Sequence, residues 1–376
     1  MNTNQLRIIL RSLLLLILGL AALPAESGRW GWASHRYINE HAVDYLPPEM
    51  SFFQAQRDFL HDHATDPDTD SQPGYYHYID IDYYPEYFLG TLPHDRDSLE
   101  ALYSPSIVID NGTVPWVIDQ WMTELTISMA GGYWNSVWQI AAELGHYVAD
   151  SHQPLHLTLN YNGGLTGNYG IHSRYETQMM YPYLSQLPLP TGTAIYWDSP
   201  LDSVFEYIED IYPVVDLVMT ADDSASSVDP DYGSTYIDIM WAQLDSVTTD
   251  AIHRSILNLA NIWYTCWINA GSPVLNTNTE SIQPANIVLY PNFPNPFNPV
   301  TEFTYYLPQR AFIDISVYDI NGRMIANLEH GNQSVGFHNL SWDGKNQYGQ
   351  SASSGMYILR LVTDNYVATR KMILLQ

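Results

Sequence analysis

The segment Gly145 to His156, reading Gly-His-Tyr-Val-Ala-Asp-Ser-His-Gln-Pro-Leu-His, concentrates side chains that can do metal chemistry. His146 and Asp150 are four residues apart, so on a helix both project from one face, one turn apart. Pro154 disfavours helical geometry in the residue before it, so the helix should stop there and leave His156 on the outgoing loop. Sixteen residues further on, His172 and Glu176 repeat the four-residue spacing within Gly170-Ile-His-Ser-Arg-Tyr-Glu176. Imidazole plus carboxylate is the donor set zinc takes where thiolates are lacking. One such pair is commonly a hydrogen-bonded surface pair. Two pairs joined by Gln153-Pro-Leu-His156 point to metal.

The elements that must position these groups are mostly helical. From about residue 30 to 271 apolar residues recur at spacings of three and four, as in Trp116 to Met129 and Trp134 to Ala149. Thr235 to Ile268 reads as two consecutive helices or one long one. Alternating strands are scarce, so this region should be all-α. Two polar loops interrupt it, an Asp-rich one from Asp62 to Pro73 and a Gly/Asn-rich one from Asn160 to Gly170. Beyond Gly271 the pattern changes. Residues 272–285 read as a linker, and 286–376 carry short alternating runs at Glu302 to Leu307, Phe312 to Tyr318, Tyr357 to Val362 and Tyr366 to Leu374. Turn signals at Asn321-Gly322 and Asp343-Gly344 border them, which predicts a small all-β sandwich of immunoglobulin type.

The chain has 376 residues, 46% of them hydrophobic, enough for one large and one small domain with real cores. With 14 Lys and Arg against 41 Asp and Glu, the net charge of -27 excludes a protein held to nucleic acid by phosphate contacts. It does not exclude an enzyme that grips phosphate through metal ions, whose charge reverses the local field. The single cysteine, Cys266, excludes an intrachain disulfide and sits in an apolar helical stretch, as a buried inert thiol would. At the start, Arg7 and Arg11 flank an apolar run from Leu13 to Leu23 that is too short to span a bilayer comfortably, followed by Pro24 and Ala25. Residues 1–25 are therefore read as a signal peptide.

His146, Asp150, Gln153-Pro154-Leu155-His156, His172 and Glu176 resemble the ligand motif of the trinuclear-zinc phospholipase C and S1/P1 nuclease superfamily, over roughly Trp30 to Gly271. Trp30-Gly-Trp-Ala-Ser-His35 is similar to the start of the nucleases, and His77-Tyr-Ile-Asp80 to a His-aromatic-x-Asp motif of the family. The resemblance implies an all-α catalytic domain and three Zn2+ ions. Asp66, His77, His146 and Asp150 would hold the first, His156, His172 and Glu176 the second, and Trp30, His35 and Asp150 the third. For the upstream acid, Asp62 and Asp68 are alternatives to Asp66. Trp30 would bind through its free amine, so cleavage after Ala25 calls for a second cut after Arg29 or an altered third site. Paired zinc ions would generate a hydroxide that attacks a phosphodiester, with Asp66 as the orienting or proton-accepting group and Asp150 as the bridging catalytic ligand. His63 and His152 are the further histidines placed to support these ligands from behind. Tyr75, Tyr76, Tyr78, Tyr83, Tyr84, Tyr161 and Tyr169 could stack a nucleobase or cage a quaternary ammonium.

In the tail, Val288-Leu-Tyr-Pro-Asn-Phe-Pro-Asn-Pro-Phe-Asn-Pro-Val-Thr301, Trp342-Asp-Gly344 and Ser354-Gly-Met-Tyr-Ile358 resemble the type A sorting domains of the type IX secretion system. That implies secretion through the periplasm to the medium or the outer cell surface, with the secretion machinery as partner. The expectation is a secreted zinc-dependent phosphodiester hydrolase of phospholipase C type, with phospholipid as substrate. The alternatives are a single-strand nuclease and a non-catalytic zinc-binding surface protein.

Overall fold

The computed structural model describes residues 31–69, 72–274, 287–293, 295–334, 336–363 and 366–375. The expected signal segment, Trp30 and most of the expected linker lie outside them. The chain divides into two compact units that part between Val274 and Leu275.

Among the described residues the first unit contains no strand. Its principal helices are α1 (Trp32–Ala42), α2 (Arg57–Asp62), α3 (Val114–Ala130), α4 (Trp134–Asp150), α5 (Pro200–Ile211), α6 (Val214–Val228) and α7 (Ser234–Asn269). The segment read as one helix or two is the single 36-residue α7, about 54 Å long at 1.5 Å per residue. It packs on α1, α3, α4 and α6. Trp263 of α7 is fully buried, packs against Phe53 with the rings tilted by 40°, and donates its indole N–H to the Ala141 carbonyl of α4 at 3.2 Å. Helices α3 and α4 form an antiparallel hairpin turned by Gly131-Gly132-Tyr133, where Gly132 takes φ +70°.

The contact that sets the site is between α1 and α4. Asn39 is fully buried, and its Nδ2 donates to the carbonyls of Leu60 (3.0 Å) and Ala142 (2.8 Å). Its side chain fits because α4 has no side chain at Gly145, where a Cβ would lie 1.8 Å from Asn39 Oδ1. This close approach brings His35, one turn before Asn39, over His146, the residue after Gly145. The two rings stack with centroids 4.0 Å apart and planes 9° from parallel.

The second unit is a sandwich of two antiparallel sheets, ordered β1-β2-β5 and β4-β3-β6-β7. Strands β2 (Thr301–Leu307), β3 (Ala311–Asp319), β6 (Gly355–Val362) and β7 (Val367–Leu374) occupy the four runs read from alternation. Phe303, Tyr305, Ile313, Ile315, Val317, Leu359 and Leu361 face inward with Trp342. The three strands that alternation does not reveal, β1 (Val288–Phe293), β4 (Met324–Gln333) and β5 (Gly336–Trp342), are all at sheet edges. Edge strands tolerate polar residues and breaks: β4 is largely polar, and β1 carries Pro291 within a register shift between Leu289 and Asn292.

The Gly145 contact yields a test. Gly145→Ala should lower unfolding stability by about 1–3 kcal/mol, because neither Asn39 nor the α4 backbone can yield without breaking buried bonds. Urea denaturation with an unchanged midpoint would show that α1 and α4 have slack there.

Candidate metal centre

Asp150 ends α4 with no solvent exposure. Its Oδ2 lies 2.9 Å from His77 Nδ1 and 3.2 Å from His146 Nε2, and its Oδ1 lies 3.2 Å from His156 Nδ1 and 3.6 Å from His35 Nε2. Five histidines and three carboxylates converge here in three groups whose ligand atoms lie within 4.8 Å of one another: His35 with Asp68 and His146, His77 with His146 and Asp150, and His156 with His172 and Glu176.

Local structure explains the convergence. After α4 the chain turns through extended Gln153, as a residue before proline must, into a short 3-10 turn Pro154–His156. His77 lies on a segment pinned on two sides. Ile79 N–H donates to the His156 carbonyl at 2.9 Å, and Thr113 N–H donates to the Tyr75 carbonyl at 2.7 Å. His172 and Glu176 follow Gly170, which takes φ +83°, and their Nε2 and Oε2 atoms lie 3.0 Å apart.

The histidines are held by their rear nitrogens. His146 Nδ1 is 3.0 Å from the Ala64 carbonyl and His156 Nδ1 is 2.9 Å from the His77 carbonyl. A carbonyl only accepts, so each Nδ1 carries the proton and each Nε2 turns a lone pair inward. His156 Nε2 then faces His172 Nε2 at 3.0 Å, and His146 Nε2 faces His77 Nδ1 at 3.0 Å. Lone pairs as close as those of His156 and His172 need a proton or a cation between them, whereas His77 Nδ1, 2.9 Å from Asp150 Oδ2, carries a proton of its own in the metal-free chain. His35 makes the same demand, since both its ring nitrogens are buried without a hydrogen-bond partner. Burial and then His146 hold its pKa well below the usual value, so it is neutral. These donors fit zinc: imidazole and carboxylate, oriented from behind, around positions that call for positive charge.

Electrostatics agree. Burial raises the Asp150 carboxyl, but His146 and His156 outweigh it and hold the group well below the usual range. Burial lowers His156, but Asp150 and Glu176 bring it up to about 10. Glu176 is raised by burial and drawn down to about 2 by His156 and His172. The carboxylates are thus ionised, ready for a cation that displaces the protons.

Asp66 is not in this arrangement. Its Oδ2 is 2.7 Å from His63 Nδ1 and accepts from Gln139 Nε2 at 2.8 Å, whereas Asp68 Oδ1 is 3.8 Å from His146 Nε2. Asp66–Thr69 is a helical turn, so residues two apart point to opposite sides and only one can face the cluster. His63 three residues earlier captures Asp66, and Asp62 points outward to His61 Nδ1 at 2.8 Å. His152 is buried apart from the ligands, between the Val148 carbonyl and Asn258 Nδ2. Trp30 lies outside the described residues.

A cavity of about 400 Å³ opens onto His77, His156 and His172. Of the seven tyrosines considered above, Tyr75, Tyr78 and Tyr161 line it; Tyr76 and Tyr84 are core, and Tyr83 and Tyr169 are exposed on the surface. Asp80, Ile109 and Asp110 complete the wall, and the last two carry no local sequence signal because they arrive through the long-range pairing of Asp80 N–H with the Asn111 carbonyl at 2.7 Å. A larger groove of about 530 Å³, lined by Asp210, Asp250 and Arg254 among others, shares no residue with the cluster.

In comparison with known proteins, the FlgD Ig-like domain family matches residues 299–366. No curated protein matches the chain. Among solved structures, latent PorU from Porphyromonas gingivalis is 22% identical with a TM-score of 0.21, over 27% of this chain and 10% of that one, so the chain spans a tenth of that relative. Alpha-toxin from an avian strain of Clostridium perfringens is 11% identical with a TM-score of 0.43, over 93% of this chain and 98% of that one. Alpha-toxin from Clostridium absonum is 10% identical with a TM-score of 0.42, over the same shares, 93% and 98%.

Asp80 offers a pH test. Burial, then Asp82, push its carboxyl up to about 7 against a pull from His156. The folded chain then holds a proton that the unfolded chain has lost, so stability falls as pH rises from about 4 to about 7 and is level above. Asp80→Asn removes this dependence. In chelator-treated protein, its gain in urea midpoint over the parent should be larger at pH 8 than at pH 5; equal gains would show Asp80 ionised throughout.

Proposed function

We propose that the helical unit is a zinc-dependent phosphodiester hydrolase of phospholipase C type, acting on phospholipid. The observation that carries this reading is the chain of three imidazole–carboxylate groups, joined through His146 and contacts of Asp150, two of which reach a cavity through His77, His156 and His172. His77, His146 and Asp150 would hold one ion, and His156, His172 and Glu176 a second. His35 with Asp68, sharing His146 or Asp150, would hold a third. Bound zinc supplies positive charge to phosphate oxygens and lowers the pKa of a water.

The protein's own groups do the rest. The Ala64 and His77 carbonyls hold the Nδ1 side of His146 and His156 and so aim each Nε2 inward, toward where an ion would take the place of its proton. Asp68, in the position first expected of Asp66, presents Oδ1 as the acceptor for a water proton. Tyr75, Tyr78 and Tyr161 exclude water from one side of the substrate.

Two observations favour lipid over single-stranded nucleic acid. The cavity lining includes Asp80 and Asp110 but no Lys or Arg, which suits a single phosphodiester with a neutral or cationic end better than a polyanion. Beside the cavity, the uncharged loop from Leu159 to Tyr169 exposes Leu159, Tyr161, Leu165 and Tyr169, apolar surface suited to a lipid interface. The tyrosine faces are the feature that would serve the nuclease alternative. For the second unit we propose a role in export and surface localisation through a type IX secretion machinery, supported by its sequence motifs.

Zinc-loaded full-length protein should release phosphocholine from phosphatidylcholine vesicles and leave single-stranded DNA intact, and Asp150→Ala should lower that rate by more than about 100-fold. Zinc-dependent DNA cleavage with inert vesicles would move the assignment to nuclease. Retained zinc with neither activity would leave a non-catalytic zinc protein.

A further inference from the structure

The turn that carries His172 and Glu176 departs from regular α-helix. Ile171–Ser173 forms one α turn and runs directly into a π-helical segment, Arg174–Met179. π turns are intrinsically poor and persist where surrounding structure holds them. Arg174 lies midway between the two ligating side chains, and two residues of helix rotate a side chain by about 200°. It therefore leaves the turn on the side opposite His172 and Glu176.

On that side its guanidinium is buried and almost fully engaged. Nη2 and Nε donate to Asp222 Oδ1 of α6 at 2.7 and 3.2 Å, and Nε lies 3.0 Å from the Tyr236 hydroxyl of α7. Nη1 donates to the Tyr169 carbonyl at 2.7 Å and Nη2 to the Asn168 carbonyl at 3.3 Å. The Tyr232 ring covers its face at 4.2 Å. Asp222 also accepts from the Tyr236 hydroxyl and, at 2.8 Å, from Asn168 Nδ2. The fit extends to Gly170, where a Cβ would meet Nη1 at 2.9 Å.

We propose that Arg174 is the positioning residue of the His156, His172 and Glu176 group. By tying the π turn to α6, to α7 and to the end of the loop before it, the guanidinium fixes the rotation of the turn and hence the aim of both ligands. The inference rests on the reading that this group holds zinc. A lysine keeps the charge but lacks the planar fork that reaches four acceptors at once.

The test is zinc affinity, measured on the full chain by competition with a chromophoric chelator, alongside thermal unfolding of the metal-free protein. Removing Arg174 altogether would strand Asp222 as a buried unpaired charge, so Arg174→Lys and Asp222→Asn are the probes. Each should weaken one zinc equivalent by about 10–100-fold, the range for residues that orient a ligand from behind, and leave the other equivalents at parental affinity. Parallel weakening of every equivalent with a lower melting temperature would reduce Arg174 to a general structural role and overturn the proposal. Unchanged affinity at every equivalent would overturn it too. A parent protein that retains no zinc would instead overturn the metal reading, and the inference with it.

Discussion

A carboxylate without solvent exposure, among four imidazoles, is the constraint around which the helical unit is built. Burying an ionised Asp150 alone would cost many kcal/mol, far more than any one hydrogen bond returns. The charge is tolerable only because His77, His146 and His156 lie within 3.2 Å. Each histidine must then be delivered from a different element: α1, the segment before α3, α4 itself and the turn after it. The close approach of α1 at Gly145, the pinning of residues 79–81 to 156–157 and the pairing of Asp80 with Asn111 all serve that delivery.

Most of the chain's acidity lies outside the ligand groups, although Asp80 and Asp110 stand in the cavity wall. Of 41 acidic residues, three enter the ligand groups, and the loop from Leu159 to Tyr169 beside them bears no charge at all. A strongly acidic surface discourages polyanions at long range, while positive charge at the centre would act only at short range through the screened few ångströms of the cavity. Under the proposed function, that arrangement of fields would favour a small or neutral-ended phosphodiester.

Much of this was legible in the residues. The i, i+4 pairs at His146 and Asp150 and at His172 and Glu176 are local, and a helix makes their geometry calculable. The choice between Asp66 and Asp68 was not, because it turns on which side of a four-residue turn faces α4 and on His63 competing for one of them. Ile109 and Asp110 join the cavity wall through backbone pairing across some thirty residues, which leaves no periodic trace. In the sandwich, the inner strands β2, β3 and β6 and the edge strand β7 alternate clearly, whereas the other three edges, β1, β4 and β5, do not, because solvent-facing backbone relaxes that requirement.

The sequence distances between the ligands have a kinetic consequence. His35 and Asp150 face each other across more than a hundred residues of chain, and His172 and Glu176 lie further on still. Closing loops of that length carries an entropic cost that local contacts do not repay, so such contacts form late in folding. A growing or partly unfolded chain can offer its adjacent pairs and the local group of His156, His172 and Glu176. The groups built on His35, Asp68 and His77 arise only when those segments have docked on α4. Under the proposed function, metal capture at those long-range groups would report that α1 and the segments carrying Asp68 and His77 have docked on α4.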